Sequence, residues 1–234
     1  MVPMPRFSYR TALKASTFAN LFFIAFFVAF FAARASHAPP PPPTPAGTVR
    51  LIIDLRNLEL IVAQGHRVQK TFPVAIGKRK TPSPVGQWEI VSKEKWGEGF
   101  GSRWLGLNVP FGVYGIHGTN KPNSIGNIIS GGCIRMFNRH VEQVYNLVQV
   151  GTPVQILGDP FMGRRVLLRG LSGSDVFFLQ KRLRQLGLFR AAPNGIFGYS
   201  TEQALLQFQK QNNLPLTGQV KSLEYKRLRL IHHD

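Results

Sequence analysis

Cysteine occurs once in these 234 residues, so no disulfide can form within the chain. The six histidines are scattered and lack ligand spacing, which disfavours a zinc site; no metal and no cofactor is expected. Acidic residues are scarce as well, 11 against 29 Lys and Arg, for a net charge of +18. Such an excess implies polyanionic surroundings. Nucleic acid is one polyanion, but the chain shows no helix-turn-helix, zinc-finger or aromatic-basic RNA-binding pattern, and no nucleic-acid partner is expected. A single thiol is silent about oxidising folding and compatible with export provided it stays free.

The run Phe18 to Ala33 contains no charge at all, and seven of its sixteen residues are Phe. With no polar face, it does not read as a buried soluble helix. Counted from Ala15 it would reach about 28 Å as a helix, near the minimum for a bilayer span. Arg6, Arg10 and Lys14 precede it, so this end is expected to stay cytoplasmic and the rest to lie outside. Residues 1–38 therefore read as a membrane anchor or a signal segment. Ala33-Arg34-Ala35 offers a small-x-small cleavage site, whereas the length of the apolar run favours an uncleaved anchor. Five consecutive prolines, Pro39 to Pro43, follow. Residues 39–47 read as a stiff polyproline spacer of about 3.1 Å per residue.

Beyond the spacer the pattern is β-rich. Val49 to Asp54 and Leu58 to Ala63 are apolar, β-branched runs separated by Arg56-Asn57. Gln64-Gly65 predicts a turn, then a strand over Val68 to Ile76. Gln87 to Ser92, Tyr114 to His117 and Pro153 to Leu157 predict further strands. Asn138 is placed to cap a helix whose inward face is Val141, Val144, Leu147 and Val148, with Gly151 at its stop.

The one cysteine sits in the turn Ser130-Gly131-Gly132-Cys133, and His117 ends a predicted strand upstream. A thiol becomes a nucleophile as its thiolate, and imidazole is the usual base. Backbone N–H groups in a glycine turn can face a developing oxyanion. Arg135 supplies either a cation for a substrate carboxylate or half of a structural salt bridge. Ser130 is either a hydroxyl near the thiol or a turn residue. The residues alone thus point to covalent acyl transfer through Cys133 with His117 as general acid and base.

The segment His117 to Asn138 resembles the signature of L,D-transpeptidase (YkuD-like) catalytic domains: a histidine, a spacer, then Ser/Thr-x-Gly-Cys-Ile-Arg-Met/Leu-x-Asn. Thr81-Pro82-Ser83-Pro84-Val85-Gly86 with Trp88, Trp104-Leu105-Gly106-Leu107, Ser124-Ile125-Gly126 and Gly151-Thr152-Pro153-Val154 resemble the family too. Residues 48–158 are covered. Many members have His where this chain has Gly131, so a backbone role alone transfers there. The resemblance implies a mostly β domain, a YkuD-like β-sandwich with one main helix. It further implies attack by Cys133 on a peptidoglycan stem peptide to give a thioester, which an amine of a neighbouring stem resolves into a cross-link. In this scheme the N–H groups of Gly131, Gly132 and Cys133 hold the oxyanion and the Gly118 carbonyl orients His117. Ser130, Arg135 and Asn138 bind substrate or shape the site. Hydrolysis of the same thioester would make an L,D-carboxypeptidase, and a wall-binding protein without activity is the remaining reading.

After Asp159 the period changes. Val176, Leu179, Leu183 and Leu186 lie on one helical face that Gly187 ends. Ser200 with Gln203 predicts a capping box for a second helix bearing Ala204, Leu205 and Phe208. Leu223 to Leu230 predicts a third. Residues 168–231 thus form a small three-helix all-α unit. Its Gly173-x-Asp175-Val176-x-x-Leu179-Gln180 and Asn194-Gly195-Ile196-Phe197-Gly198 segments resemble a peptidoglycan-binding domain. Glycan strands and anionic wall polymers are the expected partners besides stem peptides, with the membrane reached through the N-terminal segment. An extracytoplasmic location at the wall follows.

Overall fold

The computed structural model describes residues 47–97 and 100–231. The apolar run, the proline spacer and the terminal His232 and His233 lie outside them. Among the described residues no helix is long and apolar enough to cross a membrane.

Strands β1 (Val49–Asp54), β2 (Glu59–Gln64) and β3 (Arg67–Pro73) form an antiparallel meander. Asp54 makes the first turn by accepting the Arg56 N–H at 2.8 Å, the short-range bond that suits Asp to turns. The remaining elements are β4 (Ile76–Gly77), β5 (Gly86–Glu94), β6 (Trp104–Leu107), β7 (Tyr114–His117), β8 (Ile128–Ser130), β9 (Ile134–Arg135), helix α1 (Asn138–Leu147) and β10 (Pro153–Leu157). Eight strands pair in the order β3-β2-β1-β10-β5-β6-β7-β9, and β4 pairs with β8. The expected sandwich takes the form of this one sheet, whose two halves share a single core. Leu51, Ile53, Ile90, Leu105, Ile116, Ile134 and Val144 are all fully buried in it.

The strand expected over Val68 to Ile76 stops at Pro73. The chain then leaves β2 and crosses to the other end of the sheet, where Ala75 and Arg135 exchange backbone hydrogen bonds at 2.9 Å each way. Asn138 is not the cap of α1. Phe137 holds that position without a side-chain bond, and the Asn138 amide oxygen instead accepts the N–H groups of Ser102 and Thr119 at 3.1 Å each. Leu147 faces solvent, while Val141, Val144 and Val148 are buried. Helix α1 ends at Leu147, and Gly151 belongs to the turn that follows it.

Helices α2 (Ser174–Gln185), α3 (Tyr199–Gln211) and α4 (Ser222–Arg227) enclose a second core around Leu179, Leu183, Leu205 and Leu228. Two buried glutamines organise it in parallel ways. Gln180 accepts the N–H groups of Asn194 and Gly195 at 2.8 Å each and donates to Thr201 Oγ1 and the Ile196 carbonyl at 2.9 Å each. Gln209 accepts the Gly218 N–H at 3.0 Å and donates to Thr217 Oγ1 and the Gln219 carbonyl. Both loops turn on a glycine with positive φ, Gly195 at 69° and Gly218 at 64°. The Ser200–Gln203 capping box does not form, because α3 begins at Tyr199 with Gly198 as its cap, two residues ahead of Ser200. Half of such a box forms at α4 instead, where Glu224 Oε2 accepts the Lys221 N–H at 2.9 Å. Leu228 to Leu230 lie beyond α4, shorter than the expected third helix.

Candidate active site

Strands β7 and β9 run parallel, with Ile116 opposite Ile134 and His117 opposite Arg135. Both isoleucines point into the core. Alternation along the strands then puts Gly115, His117, Cys133 and Arg135 on the other face. On the far side of β7, Trp104 pairs with His117 and Gly106 with Gly115. A methyl at Gly115 would stand 2.6 Å from the Trp104 ring, so this row of glycines opens the space that the indole fills. Cys133, one residue ahead of β9, is half-buried.

His117 is only 3 % exposed. Trp104 stacks on its ring at 5.8 Å and 28°, and Phe100 meets it edge-on at 5.2 Å. Trp96 stacks in turn on Trp104 at 4.7 Å. This aromatic wall desolvates the imidazole and pushes its pKa below the ordinary value. The Gly118 carbonyl opposes that shift, Arg135 adds to it, and a backbone bond to Phe100 opposes it again. Nδ1 lies 2.5 Å from the Gly118 oxygen, which assigns the proton to Nδ1 and leaves Nε2 as the basic nitrogen. Burial raises the Cys133 pKa, while a backbone hydrogen bond to Gly115 and the Arg135 charge lower it. Both shifts favour the uncharged forms, thiol and neutral imidazole. Among the described residues no ion pair joins Arg135 to a carboxylate.

The Ser130–Cys133 turn is held from within and from one side. Ser130 is fully buried, and its hydroxyl donates to the Cys133 carbonyl at 2.6 Å and accepts the Gly132 N–H at 3.0 Å. It is a turn residue, and it occupies one of the three N–H groups expected to face an oxyanion. The Thr81 hydroxyl donates to the Ser130 carbonyl at 3.2 Å, which also accepts the Lys78 N–H. Asn138 ties the Ser102 and Thr119 backbones together beside Gly118, and a methyl at Gly118 would collide with its amide oxygen.

The two glycines before the thiol differ. Gly132 has φ 124°, and a methyl there would come within 2.8 Å of the Tyr114 ring; at Gly131 nothing lies within 4 Å and φ is ordinary. Gly131→Ala is therefore expected to leave activity within about twofold. Gly132→Ala, strained in φ and pressed on Tyr114, is expected to cost about 1–3 kcal/mol of stability and a hundredfold in rate by displacing the turn about 1 Å. Thermal unfolding and turnover of the two variants, measured side by side, check this contrast.

Sequence reasoning missed Tyr114 and the Trp96, Phe100 and Trp104 wall as parts of the site. Only Trp104 carried a signal, as a motif residue.

Residues 48–156 match the family model for the L,D-transpeptidase catalytic domain (YkuD), and residues 172–226 that for a candidate peptidoglycan binding domain. The chain is 43% identical over 108 residues to a candidate L,D-transpeptidase, YkuD, of Bacillus licheniformis, covering 46% of this chain and 64% of that one. It thus spans less than two thirds of that relative's length. It is 35% identical over 129 residues to a second, YqjB of Bacillus subtilis, covering 48% of this chain and 73% of the relative. A solved L,D-transpeptidase from Mycobacterium smegmatis is similar at 22% identity and a TM-score of 0.42, over 48% of this chain and 59% of the other.

Proposed function

Because the chain belongs to the L,D-transpeptidase family, we propose that it cross-links peptidoglycan stem peptides through a thioester on Cys133. The observation that supports this best is the row on one face of the β7–β9 pair: Cys133, His117 with its Nδ1 held by Gly118, and Arg135 beside both.

In this mechanism His117 Nε2 takes the Cys133 proton as the sulfur attacks the carbonyl preceding the terminal D-residue of a stem tetrapeptide. The Gly131 and Cys133 N–H groups face the oxyanion, since Ser130 engages that of Gly132. The imidazolium then protonates the departing amino acid, and the thioester remains. An amine of a second stem attacks it, gives its proton to His117 and releases Cys133 as the new amide forms. The thioester conserves the acylating power of the broken amide, so no nucleotide is consumed. Arg135 contacts a substrate carboxylate, and Asn138 holds the loops that border the imidazole.

Residues 172–226 hold the enzyme to the wall, where its substrate is. The apolar N-terminal run tethers it to the membrane, with the proline spacer setting its distance.

The test is mass spectrometry of the full chain incubated with a disaccharide tetrapeptide. A cross-linked dimer is the expected product. Tripeptide alone would replace transfer by hydrolysis, and the absence of dimer, tripeptide and any Cys133 adduct would sink the acyl-transfer reading.

A further inference from the structure

The groups that carry the chemistry all lie in the β lobe, yet a run of aromatic contacts leads from them into the helical lobe. It starts at Gly132, whose backbone lies against the Tyr114 ring. Tyr114 meets Phe111 edge-on at 5.8 Å and 70°. Phe111 in turn packs on Phe177 of α2 at 6.2 Å and on Gly195 of the next loop, where any side chain would drive into the Phe111 ring. Trp88 of β5 closes the cluster, 5.8 Å from Phe111 and 5.5 Å from Phe177. Phe177 belongs to a helical-lobe element but packs against the β-lobe core. Gly195 is held in place from behind by Gln180, which accepts its N–H at 2.8 Å.

Charge follows the same route. Arg165 and Asp175 form a two-point ion pair, Nε to Oδ2 at 2.7 Å and Nη2 to Oδ1 at 2.9 Å, and Nη2 also donates to the Ser172 carbonyl at 2.8 Å. The Tyr114 phenol is raised first by burial and then by Cys133; Arg165 lowers it and Asp175 raises it. Thiol, phenol and ion pair therefore share one electrostatic neighbourhood, half of it supplied by the helical lobe.

We propose that the helical lobe is a working part of the acyl-transfer site, with Tyr114 as the positioning residue: Phe177 and Gly195 clamp Phe111, Phe111 backs the Tyr114 ring, and the ring props the Gly132 peptide next to Cys133. A flexible tether would need none of these contacts. Packed aromatic clusters hold discrete arrangements and transmit displacement, so loosening the lobe displaces the turn. A shift of about 1 Å in such a turn suffices to cost a large factor in rate.

Four full-chain variants test this: Phe177→Ala loosens the clamp, Gly195→Leu forces it apart, Tyr114→Ala removes the prop, and Tyr114→Phe keeps it. Each is assayed for kcat and donor KM, for the pH profile of Cys133 alkylation by iodoacetamide, and for binding to purified wall, with circular dichroism confirming the fold. Phe177→Ala, Gly195→Leu and Tyr114→Ala are expected to lower kcat about tenfold or more, with donor KM within about twofold. Water reaching the thiol is expected to move their alkylation profiles to lower pH. Wall binding stays intact, and Tyr114→Phe stays near wild type. Two variants address the same clamp, so one that fails to fold leaves the other to decide. Unchanged kcat and alkylation in a folded clamp variant would overturn the proposal, as would Tyr114→Phe losing as much as Tyr114→Ala. The activity arm rests on the transpeptidase reading, but alkylation needs no peptidoglycan. A shifted profile in a protein that makes no cross-link would keep this inference and discard that reading.

Discussion

Replacing Cys133 with alanine is expected to abolish cross-linking, a loss on the order of 10⁴-fold or more, while leaving the fold unchanged. The reason is covalent: without the sulfur no thioester exists, and what remains is the binding and oxyanion assistance of the site. The side chain takes no part in either core, so its loss opens no cavity, and a thermal midpoint within a few degrees of wild type is the expected control. Intact-mass measurement of the enzyme with tetrapeptide decides the matter. The wild type should gain one acyl group and the variant none, and dimer formed by the variant at a tenth of the normal rate would remove Cys133 from the mechanism. Burial raises the thiol above its ordinary range, so alkylation at neutral pH should be slow and should climb only on the alkaline side. Each attack then needs a base at hand.

His117→Gln is expected to lower kcat by 10²–10⁴, the usual range for loss of a general acid and base. Its pH behaviour follows from the direction of its shift. The base form is the unprotonated one, and burial against the Trp104 and Phe100 rings lowers the pKa, with the Gly118 carbonyl opposing it. The imidazole thus stays basic through the ordinary histidine range near 6.5, and the acid limb of kcat/KM should fall below that value. Arg135 lowers both His117 and Cys133. Arg135→Met should therefore move the acid limb and the onset of alkylation both toward higher pH. An acid limb that stays put in Arg135→Met would show that the two charges do not communicate.

Much of the site was legible because its chemistry is local and scarce. A single cysteine in a glycine turn and a histidine ending a four-residue strand define a short list, and Tyr114–His117 and Pro153–Leu157 have the expected bounds. What escaped is chemistry that acts at a distance. Asn138 reads as a helix cap because Asn commonly is one; its amide oxygen is instead claimed by backbone N–H groups 36 and 19 residues away. Trp104–Leu107 gave a motif but no strand pattern, because all four residues are buried and two-sided burial erases alternation. Strand β9 is two residues long, too short for any periodicity. Tyr114 gave no signal of its own, since its place under Gly132 is decided by a turn that folds back from later in the chain.

The sheet order has a temporal meaning. Strand β10 is the last of its lobe to emerge, yet it lies between β1 and β5, with Leu51 opposite Val154 on one side and Trp88 opposite Val154 on the other. Until that strand arrives, β3-β2-β1 and β5-β6-β7-β9 share no ladder. The fragment bearing Cys133 and His117 has no inner neighbour, and a pairing across so long a loop is slow to close. A chain emerging from its N-terminus therefore holds Cys133 in a half-built sheet until Pro153–Leu157 has followed it. The two halves of the sheet become one only when this keystone strand drops in, with the helical lobe still to come.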